Sequence, residues 1–366
     1  MNRSKGMPQW LRRAPLRYRV RWHVKRVTNW LVAAIALTAI RGLEALGPRR
    51  AAGMCSWLAR KFGRFFGPNR TALHNLRAAF PEKSEEEIQA ILTETWDNLG
   101  RTAGEFPHLH RIYDFTGDGG ESNIEIVGEE NFLRLAEDGK GAIIFAAHLA
   151  NWELPAVAAA RHDLPVTVLY QTPSNHRMAD YIANVRGGTM GTMLPTSATA
   201  VFGVASALEN GEHIGLLVDQ RYYRGFIGTM FGRPCKINTV VAKLARTYDV
   251  PVHGTRVVRL PEGRFRIELT DEIELPRGGD GRIDIPAASQ AISDIIEGWV
   301  RENPGQWLWQ HKRWAHVNLP HWGARQRREA VARGEYTPPK RRAGAKRKRG
   351  NRQGKLKAQA AIRRST

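Results

Sequence analysis

The sequence predicts an α/β protein, with a mostly parallel central sheet covered by helices and an N-terminal membrane-associated helical region. Three observations carry this expectation. From residue 84 onward, short apolar runs alternate with helical stretches, as in βαβ units. Fourteen uncharged residues, 27–40, follow directly on a strongly basic N-terminus. The chain has 366 residues, 42% hydrophobic and 25% charged, which is enough to bury a core and unlike a collagenous, wholly disordered or disulfide-scaffold composition.

The net charge of +21 is concentrated at the two ends. Residues 1–26 carry nine Lys/Arg and no acid, and residues 325–366 carry sixteen Lys/Arg against Glu329 and Glu335. Residues 27–324 hold 31 basic and 33 acidic groups, so a near-neutral body bears two cationic extensions. Such extensions are drawn to polyanions: nucleic acid, an anionic lipid surface or an acidic carrier protein. A nucleic-acid-binding protein would account for the tails. The folded body, however, is slightly acidic and has no recognised nucleic-acid motif, so no specific nucleic-acid partner is expected. Cys55 and Cys235 form neither a disulfide framework nor a metal-ligand spacing, which suits a reducing compartment.

Taken in order, residues 1–26 form a basic extension and 27–66 a membrane-associated region. As a helix, 27–40 would span about 21 Å against roughly 30 Å of bilayer hydrocarbon, short for a comfortable crossing. It has the length of a signal-peptide core, but the cleavage signal after it is weak. The expectation is therefore an uncleaved anchor with its cationic side in the cytoplasm. Over 49–66, Met54, Trp57, Leu58, Phe62 and Phe65 recur at helical spacing among Arg49, Arg50, Arg60, Lys61 and Arg64. This is a basic amphipathic helix, and a helix packing its apolar face on its own domain has the same pattern.

Ser84 with Glu87 three residues on is a capping-box signal, followed by Ile88, Ile91, Leu92, Trp96 and Leu99 on one stripe. Strands are expected at 124–127, 142–147, 166–170, 214–218, 252–259 and 265–269. Helices are expected near 150–161, 176–186, 198–210, 237–248 and 288–302. In such sheets, ligands bind beyond the carboxyl ends of the strands. Residues 67–323 are thus expected to form the α/β domain that carries the site, and 324–366 a disordered basic tail broken at Pro338-Pro339.

The richest strand end is Gly141-Ala-Ile-Ile-Phe-Ala-Ala-His148-Leu-Ala-Asn-Trp-Glu153. Twelve His and 35 acids predict about one His-x4-acid pair by chance, so its setting matters more than its spacing. A buried strand ends at His148 and a helix begins within a few residues. On one helix these side chains would lie about 140° apart, so they could meet only across a strand-to-helix turn. A His paired with a carboxylate can take a proton from a hydroxyl near neutral pH. A capping or core histidine is the bland alternative. The sequence has no G-x-S-x-G elbow, no phosphate-binding glycine loop and no HExxH. Direct attack by a substrate hydroxyl is the simpler chemistry. His311, His316 and His321 recur at five-residue intervals, which does not align metal ligands on a helix, so no metal or cofactor is expected.

His148-Leu-Ala-Asn-Trp-Glu153 resembles the HxxxxD/E motif of the lipid A late acyltransferases, bacterial inner-membrane enzymes that add secondary acyl chains to the lipid A precursor. Leu169-Tyr-Gln-Thr-Pro-Ser-Asn175 with Asp180 and Arg186 is similar to that family's second block. Gly215-Leu-Leu-Val-Asp219-Gln220 is similar to its third, and Phe231-Gly-Arg-Pro234 with Thr239 to the next. Trp307-Leu-Trp-Gln-His311-Lys-Arg-Trp314 resembles its closing signature, and the blocks run in the family's order over about residues 27–316. Where the family's third block has a further acid, this chain has Arg221-Tyr-Tyr-Arg224.

The resemblance implies a glycerolipid-acyltransferase-like fold on the cytoplasmic face of a bacterial inner membrane. It implies acyl-carrier protein as donor, a lipid A precursor as acceptor and anionic membrane lipid as a further partner. By the same implication, His148 is the base, Glu153 orients it, and Arg186 holds acceptor phosphate. Asp219 orients basic or hydroxyl groups of the substrate, with Asn151 and Gln220 as weaker binding residues. Trp307, Trp309 and Trp314 are expected to pack the core or touch the interface. Two alternatives remain at this stage. One is a related acyltransferase for another membrane glycolipid or a phosphoinositide mannoside. The other is a noncatalytic basic membrane-surface or nucleic-acid-binding protein.

Overall fold

The computed structural model describes residues 15–114, 122–197 and 199–314. The tail expected at 324–366 and the first part of the basic extension lie outside the described residues. Five helices come first: α1 (Leu16–Leu46), α2 (Pro48–Phe62), α3 (Gly67–Ala79), α4 (Glu85–Glu105) and the single turn α5 (Leu109–Ile112). Gly47, at φ 76°, ends α1, and Pro48 opens α2, the usual asymmetry of helix ends.

The length of α1 corrects the expectation drawn from 27–40 alone. The helix has 31 residues, or about 46 Å at 1.5 Å per residue, and is long and apolar enough to cross a membrane. It gains this length by continuing through the basic residues on its N-terminal side, where long Lys and Arg stems can lie along apolar surroundings. Within α1 only Ala33 is buried.

Helix α2 resolves the ambiguity of its own pattern. Its buried residues are Ala51, Ala52 and Ser56, packed on α4, while Met54, Trp57, Leu58 and Phe62 are 40–51% exposed. Glycines on α4 permit the close approach: a Cβ on Gly100 would lie 2.5 Å from the Cys55 carbonyl, and one on Gly104 would meet that of Ala51. The small residues thus face the domain, and the aromatic and basic side chains face outward. The capping box of α4 forms as expected, with Glu87 N–H donating to Ser84 Oγ at 3.2 Å and Ser84 N–H to Glu87 Oε2 at 2.8 Å.

The remaining strands are β1 (Ile124–Val127), β2 (Ile143–Ala146), β3 (Val166–Tyr170), β4 (Thr192–Pro195), β5 (His213–Leu217), β6 (Phe226–Met230), β7 (Arg233–Ile237), β8 (Val252–Arg259) and β9 (Phe265–Leu269). Interleaved with them are α6 (Glu129–Glu137), α7 (Leu154–Arg161), α8 (His176–Gly187), α9 (Ala200–Glu209), α10 (Val240–Tyr248) and α11 (Ile285–Glu302). Seven strands form one sheet in the order β1-β9-β8-β2-β5-β3-β4, parallel at every pairing except β8 with β9. The fold is the expected α/β architecture.

Both faces of the sheet are covered, which is why β2 reads as an unbroken apolar run. Ile143 and Phe145 join a core with residues of α9, α10 and α11, and Ile144 joins the other core with residues of α6 and α7. The sequence reading lacked β4 and the β6–β7 hairpin. β4 is a half-exposed edge strand of Thr-Met-Leu-Pro, too short to show alternation. The hairpin turns through Phe231 and Gly232, both at positive φ (53° and 63°), a two-residue turn without the usual Asn-Gly signature.

Candidate active site

The site forms where β2 and β5 run out side by side. Their parallel register pairs Ala146 with Leu217, and two residues further on the chain brings His148 beside Asp219. The Asp219 carboxylate accepts from His148 Nδ1 at 2.7 Å and from the His148 backbone N–H at 3.1 Å. The Trp307 indole N–H donates to the same carboxylate at 2.8 Å. Burial opposes ionisation of Asp219, but the neighbouring His148, the hydrogen bonds from it and His311 hold its carboxyl well below the usual carboxylate range. An ionised acceptor at Nδ1 puts the proton there and leaves the Nε2 lone pair to meet a donor. The Gln220 amide approaches Nε2 at 3.3 Å, and the Trp152 ring stands 5.3 Å from the imidazole.

This arrangement corrects the expected partner of His148. Glu153 immediately precedes α7 and turns toward α8, where Arg186 holds it by two bonds: Nε to Oε2 at 2.9 Å and Nη2 to Oε1 at 2.6 Å. α7 begins only at Leu154, so the two residues do lie across a strand-to-helix turn. The left-handed Ala150 and the Asn151 bond to the Glu153 N–H set the course of that turn, however, and both Glu153 carboxylate oxygens are taken by Arg186. Arg186 gives two of its five donors to Glu153, its guanidinium lies 5.7 and 5.8 Å from the Phe106 and Tyr170 rings, and its side chain lines the cavity beside His148. The wholly buried Asp219 carboxylate faces the histidine, where a place on the substrate was expected.

Asn151 is also corrected. It is fully buried, donating to Glu105 Oε2 at 2.9 Å and accepting from the Glu153 N–H at 3.3 Å, so it braces the turn instead of facing a ligand. Glu105 is in turn paired with Arg259, which also donates to Asn98 at 2.9 Å. The turn needs such support, because Ala150 sits at φ 46°, a left-handed conformation that costs a non-glycine residue about 1–2 kcal/mol. Its carbonyl accepts from Thr102 Oγ1 at 2.9 Å and its N–H donates to the Gln306 carbonyl at 2.9 Å.

A cavity of about 890 Å³ opens beside His148, Trp152, Glu153, Arg186 and Gln220. Its wall includes Ile144, Val166, Val168, Met190 and Met193. Gly215 helps to open it: a Cβ there would lie 3.2 Å from Val166 Cγ1. An apolar cavity ending at a polar mouth suits a long aliphatic chain whose reactive end stays near the imidazole.

A model of the bacterial lipid A biosynthesis acyltransferases matches residues 18–316. The chain belongs to that family. The acyltransferase is 23% identical over 248 residues to the lipid A biosynthesis palmitoleoyltransferase of Escherichia coli (strain K12), covering 66% of this chain and 77% of the relative. The lipid A biosynthesis acyltransferase of Shigella flexneri matches with the same identity and coverage. Among solved structures, the 1-acyl-sn-glycerophosphate acyltransferase of Thermotoga maritima aligns over 68% of this chain and 99% of its own, at 12% identity and a TM-score of 0.31.

Of the six expected site residues, the acyltransferase brings His148, Asp219 and Gln220 into direct contact and Glu153 and Arg186 into a second pair on the same cavity. The sequence marks Trp307 only as a core or interface residue and gives no sign of Glu105 and Arg259. A buried acid and a half-buried base 154 residues apart leave no local signal. The indoles of the closing tryptophan-rich segment were the available clue, since a buried indole N–H needs an acceptor.

Proposed function

We propose that this chain transfers a fatty acyl group from acyl-carrier protein to a hydroxyl of a lipid A precursor, at the cytoplasmic face of the bacterial inner membrane. The observation that carries the reading is the His148–Asp219 pair at the mouth of an apolar cavity. His148 Nε2 takes the proton of the acceptor hydroxyl as its oxygen attacks the thioester carbonyl. The imidazolium is held by Asp219 while the tetrahedral adduct forms. The C–S bond then breaks, and the proton on His148 passes to the leaving thiolate. No covalent enzyme intermediate is required.

Membrane placement rests on α1 and the outward face of α2. Helix α1 also touches α8, the helix carrying Arg186: Asn175 donates to the Asn29 carbonyl at 2.9 Å, and Tyr181 donates to Glu44 at 3.0 Å. Deleting residues 1–41 should move the protein from membranes toward the soluble fraction, with salt-sensitive residual binding through the exposed Trp57, Phe62 and neighbouring cations of α2. Fractionation at low and high salt checks this. A membrane-bound fraction unchanged in high salt would place the anchor elsewhere.

The acceptor is tested by extracting lipids from cells lacking the protein and weighing lipid A by mass spectrometry. The expected result is a species lighter by one fatty acyl ester, restored by the parent chain and not by His148→Ala. An unchanged lipid A together with another membrane glycolipid lacking an acyl chain would reassign the acceptor.

A further inference from the structure

We propose that the Trp307 indole is a positioning residue for the reaction, holding the Asp219 carboxylate in the orientation that supports His148; this rests on reading His148 as the base. The segment carrying Trp307 is built onto the catalytic turn. Leu149 and Trp307 form an antiparallel bridge, Leu308 N–H donates to the His148 carbonyl at 3.1 Å, and Ala150 N–H donates to the Gln306 carbonyl. This places a rigid, 1% exposed indole against the carboxylate.

The two carboxylate oxygens have distinct tasks. Oδ2 takes the Trp307 indole N–H and the His148 backbone N–H, which leaves Oδ1 for the imidazole Nδ1. Two donors on one oxygen fix rotation about the last side-chain bond of Asp219. The side chain is wholly buried, so solvent is not at hand to replace a missing donor. A carboxylate freed to turn would meet the imidazole off the line of its N–H.

Packing alone does not call for an N–H at that edge. Trp309 stands edge-on to Trp307 at 4.6 Å and is as deeply buried, yet its N–H goes to the Pro304 carbonyl at 2.7 Å. The two indoles share one aromatic cluster, and only Trp307 touches the Asp219–His148 pair. His311 lies 5.1 Å from the Trp307 ring and gives its Nδ1 proton to the Leu308 carbonyl at 2.6 Å. Burial pushes His311 down to about 4, although Asp219 pulls the other way, so near neutral pH it is uncharged. The titratable groups facing Asp219 are therefore His148 and the neutral His311, while Glu153 and Arg186 at the cavity mouth neutralise each other.

The test compares Trp307→Phe and Trp309→Phe with the parent in transfer from an acyl-carrier-protein thioester to purified lipid A precursor, across pH and with melting curves. In Trp307→Phe, kcat should fall about tenfold, the loss of one hydrogen bond to a charged group. KM for either substrate should hold, because Trp307 does not line the cavity. With the indole gone, a carboxylate turned off the line of the Nδ1–H supports the imidazolium less well. The acid limb of kcat/KM should therefore move to lower pH. Trp309→Phe should lower the melting temperature comparably and leave that limb in place.

If Trp307→Phe fails to fold, incorporating benzothienylalanine at 307, which exchanges only the indole N–H for sulfur, makes the same test. An acid limb that stays or moves higher in the folded variant, or one that moves equally in Trp309→Phe, overturns the proposal. His148→Ala in the same assay separates the two ideas. Surviving turnover there removes the base reading itself, whereas an inactive His148→Ala beside an unaffected Trp307 variant removes only the role of the indole.

Discussion

His148→Ala should reduce acyl transfer by about 10²- to 10⁴-fold, the usual contribution of a positioned general base. Among the described residues lining the cavity, no other presents an equivalent lone pair: Asp219 is wholly buried behind the ring, and Glu153 is bound to Arg186. Some loss of stability should accompany the loss of rate, since removing the imidazole leaves the buried Asp219 carboxylate with only the indole and one backbone N–H. His148→Gln is the informative companion, because its amide can still donate toward Asp219 while offering no base. Purified variants would be compared for turnover and thermal melting. Near-parental turnover in a folded His148→Ala protein would remove this residue from the mechanism.

Asp219→Asn should be almost as damaging, on the order of 10⁴-fold by analogy with the same change in a Ser-His-Asp triad. The amide that replaces Oδ1 would present N–H groups to Nδ1, forcing the proton onto Nε2 and blunting the base. Glu153→Gln should behave differently. It weakens the tie between α7 and α8 through Arg186, so it should lower stability while leaving the pH profile where it was. The opposite ranking, with Glu153→Gln crippling and Asp219→Asn mild, would restore Glu153 as the partner of His148.

Asp219 also carries a pH signature. Its folded-state carboxyl titrates below the unfolded value near 4, so it adds stability above that pH, lost as the pH falls toward the folded value. Asp219→Asn should flatten the acid side of the melting temperature against pH. An acid side as steep as that of the parent would show that other carboxylates set it.

Much of this molecule is readable as local pattern. The six expected strands all occur, because a central strand such as β2 is a run of apolar residues and one such as β9 alternates buried with half-buried residues, each bounded by turns. The capping box of α4 forms from four consecutive residues, and the basic ends are matters of composition. His148 stands out because a buried strand ends there, and the ordered blocks through Trp314 placed the chain in its family.

What the sequence could not supply is which distant residues meet. His148 finds Asp219, 71 positions away, because β5 is inserted beside β2 in matching register; strand order and register are set by the whole sheet, not by any window of sequence. Glu153 sits at the expected spacing yet faces Arg186, a partner 33 positions away that α8 brings to it. Asn151 and Trp307 exchange their expected parts for the same reason: one is enclosed by Glu105 and the turn, the other laid against Asp219 by a segment that pairs with residues 148–150. The outward turn of the aromatic face of α2 was decided by Gly100 and Gly104 on another helix. Periodicity records the pattern of apolar faces along a segment, but which surface each face meets is settled only when the segments pack.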